Sequence, residues 1–93
     1  ELDHKTRELI TCTVLTTMQT LPQLKFHAAA ALNVGVTPVE LREAVYQCAP
    51  FIGFPRTLNA IDVINEVFRE KGIALPLEAQ GTTTEENRYE KGF

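Results

Sequence analysis

The sequence predicts an all-α fold, and three observations point to it. Apolar residues recur at intervals of three and four, which is the period of an amphipathic helix. Proline and glycine fall at positions where helices begin and end. No segment alternates apolar and polar residues for long enough to predict a strand. The stretch Thr11–Thr17 is rich in threonine, which favours strands, but its flanks and its periodicity favour a helix.

The first helix is expected from about His4 to Thr20, because Asp3 is a good N-cap residue. One stripe of a 3.6-residue helix is formed by Ile10, Val14, Met18 and Leu21. A second face carries Glu8, Cys12 and Leu15 at positions i, i+4 and i+7. This spacing predicts that the Glu8 side chain points towards the edge of a cleft.

The second helix is expected to begin at Pro22, where a missing N–H costs nothing. It is rich in alanine, and it ends at Asn33–Gly35 because Gly35 can adopt a left-handed conformation. Its apolar face follows the helical spacing through Leu24, His27, Ala28, Ala31 and Leu32.

The third helix has the clearest start in the chain. Thr37 and Glu40 form a capping box, with Pro38 at the first helical position. The expected buried stripe is Leu41, Ala44, Val45, Cys48, Ala49 and Ile52. Pro50 is expected to kink the helix or to end its regular hydrogen bonding near Tyr46.

The last long helix is expected from about Pro55 to Lys71, closed by Gly72. It is expected to bury Leu58, Ile61, Ile64, Val67 and Phe68. The connections are short, so neighbouring helices should pack roughly antiparallel in a bundle.

The 93 residues predict one helical core, residues 1–73, followed by a polar linker or docked tail, residues 74–93. A chain of this size buries only about 60–65% of its unfolded surface. Cys12 and Cys48 are too few for a disulfide scaffold, and no Cys/His group has zinc-ligand spacing. Self-association is therefore the expected source of further stability, and no metal or cofactor is predicted.

The charge pattern argues against several classes of partner. The net charge is −3, with acids and bases interspersed, so no basic stripe is available to bind nucleic acid. No apolar run approaches the roughly 20 residues that span a bilayer. No secretory signal pattern is present. A cytoplasmic location is expected.

His27 is the first candidate for chemistry. A lone histidine on an apolar face usually packs or hydrogen-bonds in the core. The small side chains that follow it, however, leave room for a ligand or another helix, and imidazole exchanges protons at neutral pH. Glu8 would reach His27 if the first two helices are antiparallel, and would then orient the ring as in a general base. Alternatively, Glu8 only complements the helix dipole.

The cysteines and arginines are secondary candidates. Cys12 is expected to pack as a small apolar residue, whereas Cys48 is open to either reading because it lies beside the Pro50 distortion. Arg7 and Arg56 are candidates for binding an anionic substrate, and Arg56 begins a helix directly after a proline break. Other surface arginines, such as Arg42 beside Glu43, are expected to be solvated or paired.

The chain resembles the carboxymuconolactone decarboxylase family, which shares its fold with the alkylhydroperoxidase D-like proteins. The resemblance covers about residues 2–72 and rests on an ordered series of motifs: Lys5–Ile10, His27–Thr37, Glu40–Ala44 and Gly53–Pro55. It implies an alkylhydroperoxidase D-like helical bundle. It also implies a homo-oligomer, a trimer or hexamer, in which neighbouring subunits complete the sites.

The resemblance implies two chemistries. Decarboxylase members act on a carboxylated γ-lactone, whereas peroxidase-like members use a C-x-x-C pair, a histidine and a glutamate in a proton relay. His27 and Glu8 match the histidine and glutamate, but the thiol positions hold Thr20 and Gln23. Gln47 stands where decarboxylase-like members commonly have histidine. The segment 88–93 resembles the start of a family domain, as if a second repeat began there.

Three hypotheses follow. The first is a lyase for a small carboxylated lactone or related acid, with His27 as acid/base, Glu8 as its orienting partner, and Arg7 or Arg56 binding carboxylates. The second is a peroxiredoxin-like thiol oxidoreductase that uses Cys12 and Cys48. The third is a non-catalytic helical assembly module in which His27 only packs.

Overall fold

The computed structural model describes residues 1–77, and all of the regular structure in that range is helical. The predictions for residues 78–93, including the start of a second repeat, lie outside the described residues. The helices are α1 (His4–Met18), α2 (Leu21–Asn33), α3 (Pro38–Gln47), the single turn α4 (Ala49–Ile52) and α5 (Phe54–Glu70). Within residues 1–77 the prediction of an all-α fold is confirmed, and the bounds of α1, α2 and α5 lie within two residues of those expected. The third helix begins where expected and ends at Gln47, beside Tyr46, which is one of the two effects expected of Pro50.

The ends of α1 are determined by local hydrogen bonds. The Asp3 carboxylate accepts a hydrogen bond from the Thr6 backbone N–H at 2.8 Å, which confirms the predicted N-cap. The helix ends at Gln19, a non-glycine residue in the left-handed region with φ 58°. The Gln19 amide donates to the carbonyl of Arg56 at 2.9 Å and accepts from Asn59 at 3.0 Å. These contacts attach the α1–α2 turn to the start of α5.

The start of α3 is the capping box that the sequence predicts. The Thr37 hydroxyl accepts from the Glu40 N–H at 3.1 Å, and the Glu40 carboxylate accepts from the Thr37 N–H at 2.9 Å. Pro50 interrupts regular bonding as expected, because α3 stops at Gln47 and the next turn is the separate α4. Gly53, with φ 84°, then allows the sharp change of direction into α5.

The four long helices form a ring in which each packs on two neighbours: α1 on α2 and α3, and α5 on α2 and α3. The pair α1–α2 and the pair α3–α5 therefore lie on opposite sides of the bundle. The interior is filled by side chains from every long helix: Cys12, Leu24, Ala28, Ala31, Leu41, Val45, Ala60, Ile64, Val67 and Phe68. This core holds α1 and α2 together, and those helices carry Glu8 and His27.

The apolar stripe of α1 does not face this core. Ile10 and Val14 are each 47% exposed and Met18 is 63% exposed, whereas the buried residues of α1 are Cys12 and Thr16. The expected burial of Leu58 is also wrong, since it is 51% exposed, although the other predicted core positions of α5 are buried. The apolar periodicity thus predicted the helices correctly, but the stripe that it identified on α1 is exposed and not part of the core.

Candidate functional site

The centre of the candidate site is a hydrogen bond between α1 and α2. The Nδ1 atom of His27 lies 3.0 Å from Oε1 of Glu8, as expected for antiparallel packing of the first two helices. Both side chains are partly buried, with 33% of the His27 side chain and 25% of the Glu8 side chain exposed. The pair therefore lies at the edge of the apolar face, within reach of a ligand.

The partner of Nδ1 determines what His27 can do. An ionised carboxylate only accepts hydrogen bonds, so Nδ1–H is the donor to Glu8 and the imidazole is held in one orientation. Nε2 forms no hydrogen bond with any side chain in residues 1–77. A neutral His27 can accept a proton at Nε2, and a charged His27 can donate one there.

Phe26 is a neighbour of the pair that the sequence reasoning missed. Its ring packs edge-on against the His27 ring, with centroids 5.2 Å apart and planes at 84°. Phe26 is also 71% exposed, so it forms an apolar wall beside the imidazole. The only signal in the sequence was an aromatic residue directly before His27.

Cys12 lies on the Glu8 face of α1, one turn further along, and is fully buried. Burial and, to a smaller extent, the negative charge of Glu8 together raise the pKa of the Cys12 thiol to about 12. Because the thiolate is the nucleophile in disulfide chemistry, a thiol with this pKa is unreactive at neutral pH. This observation argues against the thiol oxidoreductase hypothesis.

The Cys48 thiol lies between α3 and α1. Its Sγ atom lies 3.6 Å from the carbonyl oxygen of Ala44 and 3.9 Å from that of Thr13, so the thiol faces the backbone of α1. Both cysteines are free and buried. A catalytic role for Cys48 stays a prediction.

The two candidate arginines lie near opposite ends of α1: Arg7 is in its first turns, and Arg56 of α5 is next to its C-terminal end. Arg7, beside Glu8 in sequence, uses its Nε to donate to the Leu2 carbonyl at 3.2 Å and lies 4.0 Å from the Glu1 carboxylate. Arg56 donates to the carbonyl of Ile52 at 3.2 Å, and its own carbonyl accepts from Gln19. The α1 backbone from Glu8 to Gln19 spans roughly 16 Å at its usual rise, so Arg56 is remote from Glu8 within one chain.

Two surface depressions within residues 1–77 are lined by residues other than Glu8 and His27. One of about 490 Å³ surrounds the N-terminus and includes Arg7. Another of about 400 Å³ lies between α3 and α5. No group of three or more potential metal ligands occurs among the described side chains. Within the same range, no helix is both long and apolar enough to cross a bilayer.

Comparison with known proteins identifies the family. The sequence profile of the carboxymuconolactone decarboxylase family matches residues 1–66, which includes both members of the Glu8–His27 pair. The match covers all of α1 to α4 and most of α5.

Individual relatives agree with this match. The 4-carboxymuconolactone decarboxylase of Acinetobacter baylyi is 37% identical over 73 residues, covering 78% of this chain and 54% of that protein. The nitrosuccinic acid decarboxylase of Metarhizium robertsii is 33% identical over 69 residues, covering 74% of this chain and 48% of that protein. A 15.0 kDa protein of Paracoccus denitrificans is 35% identical over 72 residues, covering 75% and 54%. The chain thus spans about half the length of these relatives.

Proposed function

The chain belongs to the carboxymuconolactone decarboxylase family, and we propose that it is a lyase that removes carbon dioxide from a small carboxylated lactone or a related acid. The observation that carries the proposal is the 3.0 Å hydrogen bond between His27 and Glu8. Through this bond a carboxylate orients a partly exposed imidazole, and the Nε2 atom of that ring is left to exchange a proton with a substrate. This is the arrangement of a general acid or base.

In the proposed reaction, the bond between a substrate carbon and its carboxylate breaks, and carbon dioxide leaves. The electron pair stays on the substrate carbon and is delocalised into an adjacent acceptor group. The charged His27 then donates the proton on Nε2 to that carbon, and the neutral imidazole regains a proton from water. Glu8 stabilises the charged imidazole before the transfer and keeps its ring in position.

The relatives support this class of reaction. Two of them are named as decarboxylases, one for a carboxymuconolactone and one for nitrosuccinic acid. Both names specify the loss of a carboxyl group from a small acid, although the substrates differ. The reaction class is therefore better supported for this chain than either substrate. Gln47, in place of a common family histidine, is consistent with a different substrate.

We further propose that the working form is a homo-oligomer, a trimer or hexamer of alkylhydroperoxidase D-like bundles. Apolar side chains on α1 and at the α4–α5 junction are exposed, including Phe51 at 81% and Phe54 at 70%. Neither of the two depressions described above is lined by His27. Arg7, next to Glu8 in sequence, is the candidate in the same chain for binding a substrate carboxylate, whereas Arg56 would have to come from another copy.

Three further expectations stay predictions. Residues 1–73 are proposed as the functional core, with residues 74–93 as a linker or tail. The cytoplasmic location is proposed from the sequence and from the two free thiols, which suit a reducing compartment.

The test is a carbon dioxide release assay with the two acids for which the decarboxylase relatives are named. We expect turnover of at least one acid by the wild-type chain. His27→Gln should lower the rate by about 100-fold or more, because general acid catalysis is lost. Glu8→Gln should give a smaller loss with the same substrate preference, since the imidazole remains.

The matched control is His4→Gln, which makes the same substitution at the chain's other histidine, exposed at the start of α1. This variant should retain wild-type turnover. Circular dichroism should show equal helix content in all four proteins. A wild-type rate in folded His27→Gln would exclude the proposed mechanism.

A further inference from the structure

The cleft between α3 and α5 has no role in the proposed reaction. Arg42 and Tyr46 line it from α3, Ile61 and Asn65 line it from α5, and the segment 75–77 forms its remaining wall. Its volume of about 400 Å³ is within the range of small-molecule sites in proteins.

The polar side chains of the cleft are all able to donate hydrogen bonds. They are the guanidinium of Arg42, the phenol of Tyr46 and the amide of Asn65. Arg42 forms no ion pair with any carboxylate of residues 1–77, even though Glu43 is its neighbour in sequence. Among residues 1–77, no carboxylate lines the cleft. One positive charge and two neutral donors therefore face the same space, a combination suited to a carboxylate.

The rest of the lining is apolar. Ile61 belongs to the edge of the core at 8% exposure, and Leu75, Pro76 and Leu77 close the opposite side. These side chains would cover the hydrocarbon part of a ligand whose charged end is bound by Arg42. The lining thus matches an acid with a compact apolar body better than a fully hydrated anion such as phosphate.

The cleft is also separate from Glu8 and His27. It lies between α3 and α5, whereas the pair lies between α1 and α2 on the opposite side of the ring of helices. A ligand in the cleft would not contact His27 of the same chain.

We infer that the α3–α5 cleft is a second binding site, for a small monocarboxylic acid with an aromatic or branched apolar body. Arg42 binds the carboxylate with the help of Tyr46 and Asn65, and the wall formed by residues 75–77 covers the apolar part. The inference rests on this lining and is independent of the proposed lyase activity.

The test uses benzoate as the probe and the full 93-residue chain, followed by ¹H–¹⁵N NMR titration. We expect saturable shifts at α3, α5 and residues 75–77, with a dissociation constant on the order of 1 mM for so small a ligand. Arg42→Gln should weaken binding by about tenfold or more, because a charge-assisted hydrogen bond is lost. Tyr46→Phe should weaken it by about threefold.

Two controls make the result specific. Arg69→Gln removes the same charge from an exposed position of α5 outside the cleft and should leave the affinity unchanged. His27→Gln should also leave it unchanged, which separates this site from the proposed catalytic one. The inference would be overturned if benzyl alcohol bound as well as benzoate, or if Arg42→Gln and Arg69→Gln had equal effects. It would also be overturned by shifts confined to the His27 region or by the absence of saturable binding.

Discussion

The contact between Glu8 and His27 follows from the way α1 and α2 are joined. Only Gln19 and Thr20 separate the two helices, so the chain reverses direction at once and residues on either side of the turn are brought face to face. The side chain of Gln19 bonds to Arg56 and Asn59 and so anchors this turn to α5. The turn that brings Glu8 and His27 together is thus held against α5 by polar contacts.

Cys12 gives a prediction about the response of stability to pH. Burial raises its pKa from 9.0 to about 12 in the folded chain. Between these values the unfolded thiol loses its proton while the folded thiol keeps it, so the unfolded state binds fewer protons. The free energy of unfolding should therefore fall as pH rises through this window, by at most about 1.4 kcal/mol per pH unit from this group.

The measurement is urea unfolding near neutral pH and again at about pH 10, above the ordinary thiol pKa. Cys12→Ala should lose less stability between the two conditions than the wild type, since its thiol contribution is gone. Cys48→Ala removes the other thiol and keeps Cys12, so it should retain the Cys12 contribution. Identical pH responses of Cys12→Ala and the wild type would show that the Cys12 pKa is not raised.

At the scale of the elements, α3 shows how a helix start can be specified locally. Thr37 and Glu40 satisfy each other's backbone N–H groups, and Glu40 also binds Lys5 of α1 at 3.2 Å. The backbone hydrogen bond from Thr37 and the ion pair with Lys5 both lower the pKa of the Glu40 carboxyl. One short motif thus begins α3 and contacts α1.

Removal of this cap should destabilise the chain measurably. Thr37→Ala leaves the Glu40 N–H without its partner and should lower the free energy of unfolding by about 1 kcal/mol. Glu43→Ala, at an exposed position of the same helix, should change it by less than about 0.5 kcal/mol. Urea unfolding at neutral pH compares the two variants, and equal stability would indicate that the capping box contributes little.

The helices were predictable because their signals are local. Caps, prolines and glycines lie within a few residues of the ends that they determine, as Asp3, Thr37 and Gly53 show. The side of α1 that is buried was not predictable, because Val14 and Met18 have the same period as a core stripe and only the packing of the other helices shows that they point outwards. Likewise, the contact of Glu8 with His27 was predictable from antiparallel packing across a short turn, whereas the position of Arg56 relative to that pair depends on the tertiary fold.

At the scale of the whole molecule, the exposed apolar side chains require an explanation. Six of them lie in two groups: Ile10, Val14 and Met18 along α1, and Phe51, Phe54 and Leu58 at the α4–α5 junction. A small chain that buries a limited share of its surface gains stability when such side chains are covered. A second copy of the chain, as in the proposed oligomer, would cover them.

This view predicts that one charge within the α1 stripe weakens self-association. Val14 lies in the middle of the stripe and is 47% exposed, so Val14→Lys should leave the fold of one chain intact while placing an unpaired ammonium group in the proposed interface. Sedimentation velocity should show an oligomer for the wild type and a shift towards monomer for Val14→Lys. Ala74→Lys adds the same charge to an exposed position outside the stripe and should sediment like the wild type. The α1 stripe does not form the interface if the wild-type chain is monomeric at high concentration. The same conclusion follows if Val14→Lys keeps the full oligomer.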